Sequence, residues 1–119
     1  MLLTEVLREK HRREMEKLLE LASINSIWRG KDYCEGHMVQ SWSKTSPTTY
    51  EGTVASKNEP ETVYHVSLDR EHPKRSTCDC PFANGRRVIC KHMVALFFTA
   101  EPGFLEKFIF EEEALEREE

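Results

Sequence analysis

The first long pattern of hydrophobic and polar residues along the chain is that of a helix. Residues 2–22 contain neither Gly nor Pro and are rich in Leu, Glu, Lys and Arg, which favour helical backbone. Apolar side chains cluster at the two ends of this segment, with the polar run 8–14 between them. The pattern predicts an N-terminal helix, placed at residues 1–26, that docks through its ends. Asn25-Ser26, followed by Gly30, indicate its exit.

The middle of the chain has the pattern of strands. Met38–Trp42 is a short candidate, Thr48–Ser56 is rich in Thr, and Glu61–Leu68 alternates apolar and polar side chains. Lys57–Pro60 separates the last two strands and has the composition of a turn. We therefore predict an antiparallel hairpin within a small sheet.

The last third of the chain is helical again. Over residues 91–100, apolar side chains recur at i, i+3, i+4 and i+7, which predicts a helix with one buried stripe. Pro102-Gly103 interrupts the pattern, and an acidic helix is predicted at 102–119. Together these elements predict an α+β fold, in which a small antiparallel sheet belongs to a central domain at 27–101 and is flanked by N- and C-terminal helices.

The composition is that of one modest domain. The chain has 119 residues, of which 39% are apolar and 32% charged, so its core is small for its length. No apolar run is long enough to cross a bilayer, and the start of the chain lacks the apolar stretch of a secretory signal. We therefore expect a cytoplasmic protein without a membrane partner, in a compartment where cysteines stay reduced.

Charge is unevenly distributed along the chain. The net charge is −4, but residues 70–92 hold six basic and two acidic side chains, whereas residues 111–119 hold six Glu and one Arg. Clustered basic side chains are typical of surfaces that contact nucleic-acid phosphates. The candidate nucleic-acid contacts are Arg70, Lys74, Arg75, Arg86, Arg87 and Lys91. We expect binding to DNA through them to be weak, sensitive to salt and largely independent of base sequence.

Three cysteines and one histidine lie within this basic segment in the pattern C-x-C-x9-C-x-H. They are Cys78, Cys80, Cys90 and His92. Three thiolates and one imidazole form a complete tetrahedral set for one zinc ion, and Asn84-Gly85 can turn the chain back between the two pairs. The spacing therefore predicts a zinc site that stabilises residues 70–100 in particular.

The other histidines and the remaining cysteine leave alternatives open. His72 lies six residues before Cys78 and could replace His92 as the fourth ligand. Cys34 and His37 form C-x-x-H, a spacing that can hold a metal, but no second pair lies nearby in the sequence. We favour a buried thiol and a turn histidine for that pair.

The motif, with Pro81 after its second cysteine and Lys-His-Met-Val-Ala-Leu at residues 91–96, resembles the SWIM zinc finger. Positions that often precede this finger also have counterparts upstream, at Arg29-Gly30, Tyr33, Gly36, Val39 and the strand Val63–Leu68. Cys34 departs from the pattern, because an aromatic or apolar residue is common there. The resemblance covers most of the domain at 27–101 and places the finger core at 76–100.

The resemblance implies one zinc ion held by the three cysteines and His92 of the motif, in a domain used for DNA binding or protein–protein contact. SWIM domains occur in bacterial proteins associated with helicase-like ATPases, in Mutator-type transposases and in some ubiquitin ligases. A helicase-like ATPase is therefore one class of protein partner that the resemblance implies.

We expect a binding module rather than an enzyme. Four protein ligands leave no open position on zinc for a reactive water, and the sequence has neither a Gly-rich phosphate loop nor a G-x-S-x-G motif. Two functions remain open. The first is contact with DNA, a protein or both; the alternative is a purely protein–protein adaptor without nucleic-acid contact. An adaptor would dock a helicase-like ATPase or similar partner through its helices, for instance at Leu105 and Phe108.

Overall fold

The computed structural model describes residues 16–59 and 61–118, and these have the predicted α+β architecture. The elements are, in chain order, α1 Lys17–Leu21, α2 Ile24–Glu35, β1 Val39–Ser46, β2 Thr49–Ala55, β3 Val63–Asp69, a 3₁₀ turn Pro73–Arg75, β4 Thr77–Cys78, α3 Lys91–Ala100 and α4 Pro102–Glu118. The part of the N-terminal helix predicted within residues 1–15 lies outside the described residues. No helix of the described segments combines the length and the apolar character needed to span a membrane.

The strands form one antiparallel sheet in the order β1-β2-β3-β4. The predicted hairpin is confirmed, because β2 and β3 pair continuously from Thr49 opposite Asp69 to Ala55 opposite Val63. The short strand β4 adds Cys78 opposite Val66. One edge of the sheet therefore carries the first cysteine of the motif.

Helix α3 forms the centre of the core. Its residues from Met93 to Phe98 are all buried, and the helix packs against both α2 and the sheet. The helix itself is confirmed, but the expectation of one buried stripe is too narrow, because neighbours cover the helix on more than one side.

The segment that follows α1 differs from the prediction. A second helix begins at Ile24, where Asn25-Ser26 were interpreted as an exit. The hydroxyl of Ser23 caps this helix by accepting a hydrogen bond from the backbone N–H of Ser26 at 3.1 Å. Helix α2 therefore crosses the predicted boundary between residues 26 and 27, and the division into domains stays a prediction.

Gly30 does not end a helix but allows two helices to approach each other. It is buried in the middle of α2, and a Cβ atom at this position would overlap the side chain of Val94 in α3. Glycine is otherwise unfavourable inside a helix. The close contact between α2 and α3 explains why a glycine stands here.

The junction between α3 and α4 is tied to the sheet. The break lies at Glu101, and Pro102 is the first residue of α4, a position that proline favours. The carboxylate of Glu101 accepts hydrogen bonds from the hydroxyl of Tyr50 at 2.7 Å and from the ammonium group of Lys44 at 3.1 Å. The turn between the two helices is thereby fixed to β1 and β2.

We expect Tyr50→Phe to lower the free energy of unfolding by about 1 kcal/mol, because the hydrogen bond to a carboxylate is lost. That bond, together with the one from Lys44, lowers the pKa of Glu101. A carboxyl group with a lowered folded pKa stabilises the fold above its unfolded pKa, and this contribution is lost as the pH falls through the folded pKa. Urea unfolding near neutral pH therefore measures the full contribution of this hydrogen bond to stability.

Lys44→Met is the matched control for Tyr50→Phe. It removes the second donor to Glu101 from a side chain that is nearly half exposed, so its effect on stability should be smaller. Equal stability of Tyr50→Phe and the wild-type protein would contradict the prediction.

Candidate metal centre

The first two cysteines of the motif lie on a strand and in the turn that follows it. Cys78 is the last residue of β4. The backbone carbonyl of Cys80 accepts hydrogen bonds from the N–H groups of Ala83 at 3.1 Å and of Asn84 at 2.9 Å. Backbone hydrogen bonds therefore fix Cys78 at the sheet edge and Cys80 in the following turn.

The other two motif residues lie at the start of α3. Cys90 is the N-cap of this helix and His92 is its second residue. The chain returns from the first pair through a loop in which Gly85 has a φ of +74°, a conformation that glycine adopts without strain. A thiolate at a helix N-terminus is favoured by the helix dipole.

The four side chains converge in the arrangement that a tetrahedral metal requires. All four are buried, and one ligand atom from each lies within 4.8 Å of the others. Nδ1 of His92 lies 3.8 Å from Sγ of Cys78 and 3.8 Å from Sγ of Cys90. Zinc–ligand bonds of roughly 2.0 to 2.3 Å at tetrahedral angles imply sulfur–nitrogen separations of about 3.5 Å. The cluster therefore fits one zinc ion.

Two tyrosine rings hold the imidazole of His92 in place. The ring centroid of Tyr33 lies 5.2 Å from that of His92 with its plane nearly perpendicular, and that of Tyr64 lies 4.7 Å away. Neighbours of this kind orient a metal ligand. The sequence marked Tyr33 only through its position before the motif. It placed Tyr64 on one face of the strand Glu61–Leu68 without linking it to the metal site, and the pairing of β3 with β4 brings it here.

The surroundings of the three thiols shift their pKa values in different directions. The hydrogen bond from Cys78 lowers the pKa of Cys90, against the opposing effect of burial, and His92 lowers it further. The same bond raises the pKa of Cys78, as does its burial, and burial raises the pKa of Cys80. Zinc binding must displace the thiol protons that remain, so the affinity for zinc decreases as the pH falls.

The alternative ligands lie elsewhere. His72 lines a separate cleft with Lys74 and Arg75. The thiol of Cys34 accepts a hydrogen bond from the hydroxyl of Thr99 at 3.4 Å, and His37 has a positive φ of 57° just after α2. Among the residues that the structure describes, the three cysteines with His92 are the one cluster suited to a metal.

Comparison with known families agrees with this geometry. Residues 64–101 match the family model of the SWIM zinc finger. The chain contains a SWIM zinc finger. The match begins in β3 and ends directly after α3, so it includes all four cluster residues. No curated protein and no solved structure matched the chain.

Three of the predicted basic contacts line one open cleft beside the SWIM finger. Lys74 and Arg75 come from the 3₁₀ turn and Arg87 from the finger loop. The cleft has a volume of about 840 Å³, and Lys17, Glu20 and Glu71 also line it. We call this surface, defined by Lys17, Lys74, Arg75 and Arg87, the basic cleft.

Arg70 is engaged within the protein. Its Nε donates a hydrogen bond to the carboxylate of Glu16 at 2.7 Å, and its guanidinium carbon lies 4.7 Å from the ring centroid of Phe104. The guanidinium therefore joins the start of α1 to α4. Its predicted contact with phosphate stays a prediction, and Arg70 is not among the residues that line the basic cleft.

The last two of the predicted basic contacts lie at a different pocket from the basic cleft. Lys91 lines a pocket together with Arg29 and His92. Arg86 lies over the ring of Phe82, another residue of that pocket, at 4.9 Å from its centroid. The six predicted contacts are thus divided between two surfaces and one internal ion pair.

Proposed function

We propose that this SWIM module binds nucleic acid through the basic side chains of the finger, and that its zinc has a structural role. We also propose that the metal site is not catalytic, because three thiolates and one imidazole fill the four positions of a tetrahedral site. A zinc ion held by Cys78, Cys80, Cys90 and His92 would join the edge of the sheet to the start of α3. The residues around it then hold the basic side chains at fixed positions.

The basic cleft is the observation that carries this proposal. Lys74, Arg75 and Arg87 converge there although eleven residues separate Arg75 from Arg87 in the sequence. None of the three forms an ion pair with another described residue. Lys17 and Glu71 form a pair at 3.5 Å in which both side chains are more than half exposed, so water and salt weaken it. The cleft therefore keeps an excess of positive charge for phosphates.

Titration with salt tests the proposal. Fluorescence anisotropy of a labelled duplex DNA should show log K falling with log salt at a slope of about −3, since three free cations neutralise about three phosphates. Between about 50 and 200 mM salt this corresponds to a roughly 60-fold loss of affinity. Binding should vary little with base sequence, because phosphate contacts do not read bases.

Arg87→Gln should reduce that slope by about one without changing the zinc content. Lys107→Gln is the matched control, because it removes one exposed positive charge from α4, outside the basic cleft. A slope that Arg87→Gln leaves unchanged would contradict the proposed surface. Absence of binding to DNA and to RNA at low salt would contradict the function itself.

Contact with a protein partner is a second candidate, favoured by exposed apolar residues. Leu21 is the last residue of α1, Ile24 and Trp28 lie one turn apart on α2, and all three side chains are exposed, with Ile24 at 50%. Phe108, suggested above as a docking residue, is buried against Phe98 and the ring of Trp28. A polar substitution there would unfold the core, so Ile24→Ser is the better variant for a pull-down with a helicase-like ATPase.

A cytoplasmic location is part of the same proposal. All four cysteines are free thiols, and three of them form the metal-binding cluster. Thiols of this kind persist in a reducing compartment, whereas an oxidising one would convert them to disulfides.

A further inference from the structure

A pocket lies against the metal-binding cluster on the side of His92. It has a volume of about 280 Å³ and is enclosed by α2, the segment after β2, the Cys80 turn and the start of α3. No carboxylate is among the described residues that line it. We call it the His92 pocket. Its size is near the lower end of pockets that hold small ligands.

Two cations without a fixed anionic partner face this pocket. Arg29 comes from α2 and Lys91 from the first turn of α3. Neither forms an ion pair with another described residue, and the ammonium group of Lys91 lies 5.5 Å from the ring centroid of Tyr33. Zinc with three thiolates and a neutral imidazole carries a charge of −1, so the two cations leave a positive excess.

His92 supplies a donor that lacks an acceptor. The residue is only 3% exposed, and its Nδ1 faces two of the thiols. With Nδ1 directed at the metal position, Nε2 carries the ring proton. Nε2 is buried and has no hydrogen-bond partner. A buried donor without an acceptor is costly, and His92 is one of the residues that line the pocket.

Phe82 provides an apolar surface at the same pocket. It lines the pocket and is 51% exposed. The guanidinium of Arg86 lies 4.9 Å from its ring centroid and donates a hydrogen bond to the Phe82 carbonyl at 3.0 Å. An exposed aromatic ring beside cations is typical of sites where an unstacked base packs next to its phosphate.

From these observations we infer that the His92 pocket binds one nucleotide of a single strand, with the phosphate near Arg29 and Lys91 and the base against Phe82. This inference rests on the proposed nucleic-acid function and adds a preference for unpaired strands. A base within a duplex is stacked on its neighbours and cannot enter the pocket, whereas a base of a single strand can. The basic cleft contacts phosphates only and accepts either form.

The test compares a labelled oligothymidylate of about 12 nucleotides with a duplex of the same length, using zinc-loaded protein. Phe82→Ala should weaken single-strand binding by roughly 5- to 150-fold, the range for one lost stacking contact, and should leave duplex binding within about twofold. Phe82→Trp should restore single-strand binding, because it restores an aromatic surface. Both variants should retain their zinc, since Phe82 is exposed.

Arg29→Gln should weaken single-strand binding in the same selective way. Lys31→Gln is its matched control, since it removes one positive charge from the same helix outside the pocket. In addition, the Nε2–H signal of His92 in nitrogen-15 NMR spectra should shift when thymidine monophosphate is added. These three results together would support the inference.

Other outcomes would overturn it. If duplex binding depends on Arg87 while Phe82→Ala and Arg29→Gln behave like Lys31→Gln, the proposed function stands, but the His92 pocket does not bind a nucleotide. If inorganic phosphate shifts the His92 signal and the oligothymidylate does not, the pocket binds small anions rather than nucleotides. If neither nucleic acid binds at low salt, the proposed function fails as well.

Discussion

Replacing Cys80 by Ser is expected to reduce the zinc content from one ion per chain to near zero. A serine hydroxyl stays protonated and cannot replace the thiolate of a tetrahedral structural site. The apparent binding energy of such sites is roughly 10 to 16 kcal/mol near neutral pH, which exceeds the stability of most small domains. Metal analysis after gel filtration measures the loss directly.

Cys34→Ser is the matched control, because Cys34 is the one cysteine outside the cluster. It should retain the full zinc content and lose only the contact with the Thr99 hydroxyl. Equal loss of zinc from both variants would contradict the ligand set.

The structure changes the expected extent of unfolding when zinc is removed. The sequence predicted a selective effect on residues 70–100. However, α3 begins at Cys90 and packs against both α2 and the sheet, so melting this helix removes the core that they share. We therefore expect a chelator to lower the melting temperature of the whole described fold. Circular dichroism should show one cooperative transition, at a lower temperature than that of the zinc-loaded protein.

Acid should have the same effect as a chelator. Protons compete with zinc for the thiolates and for Nδ1 of His92, so zinc is bound at neutral pH and released as the pH falls toward about 5. Zinc release followed with a chromogenic chelator would check this. Retention of zinc at that pH after prolonged dialysis would contradict it.

Gly30→Ala is expected to destabilise the fold by about 2 kcal/mol. In an exposed helix the same substitution stabilises by about 1 kcal/mol, because alanine has the higher helix propensity. Here the new Cβ would overlap the side chain of Val94 and would approach the backbone carbonyl oxygen of Lys91 to 3.0 Å. Overpacking of a core costs roughly 1 to 3 kcal/mol, so the sign is reversed. Urea unfolding of the zinc-loaded protein measures the change.

Gly103→Ala is the matched control on α4. A Cβ at Gly103 meets no atom within 4 Å, so this variant should be neutral or slightly more stable. Val94→Ala should reduce part of the cost of Gly30→Ala in a double-mutant cycle, because it removes the overlapping Cγ1 methyl group of Val94 but keeps its Cβ. Additive effects of the two substitutions would show that Gly30 matters for another reason than its contact with Val94.

The sequence predicted the metal-binding cluster and most of the regular elements because their signals are local. Cys78 and Cys80 are separated by one residue, as are Cys90 and His92, and a loop of nine residues joins the pairs. Only a few folds of so short a segment bring all four together, so spacing and ligand chemistry suffice. The same holds for the alternating pattern of β3 and the apolar spacing of α3, since each reflects the geometry of one element.

Local pattern failed where a residue's role depends on a distant partner. Gly30 and the Asn25-Ser26 pair have the composition of a helix exit, but packing against α3 makes the segment helical. Arg70 was grouped with its basic neighbours, yet its guanidinium pairs with Glu16, 54 residues away. Contacts across such separations depend on how the elements pack and leave no periodic signal in the sequence.

By itself, the sequence therefore determined a zinc finger of SWIM type, its four ligands as a prediction, and most of the strands and helices around it. Only the tertiary structure decided which basic side chains share the basic cleft and which residues form the His92 pocket. It also decided that Phe108 belongs to the core. The physical reason is that a metal ligand is recognised by its own chemistry, whereas a surface is defined by which side chains the fold leaves exposed beside one another.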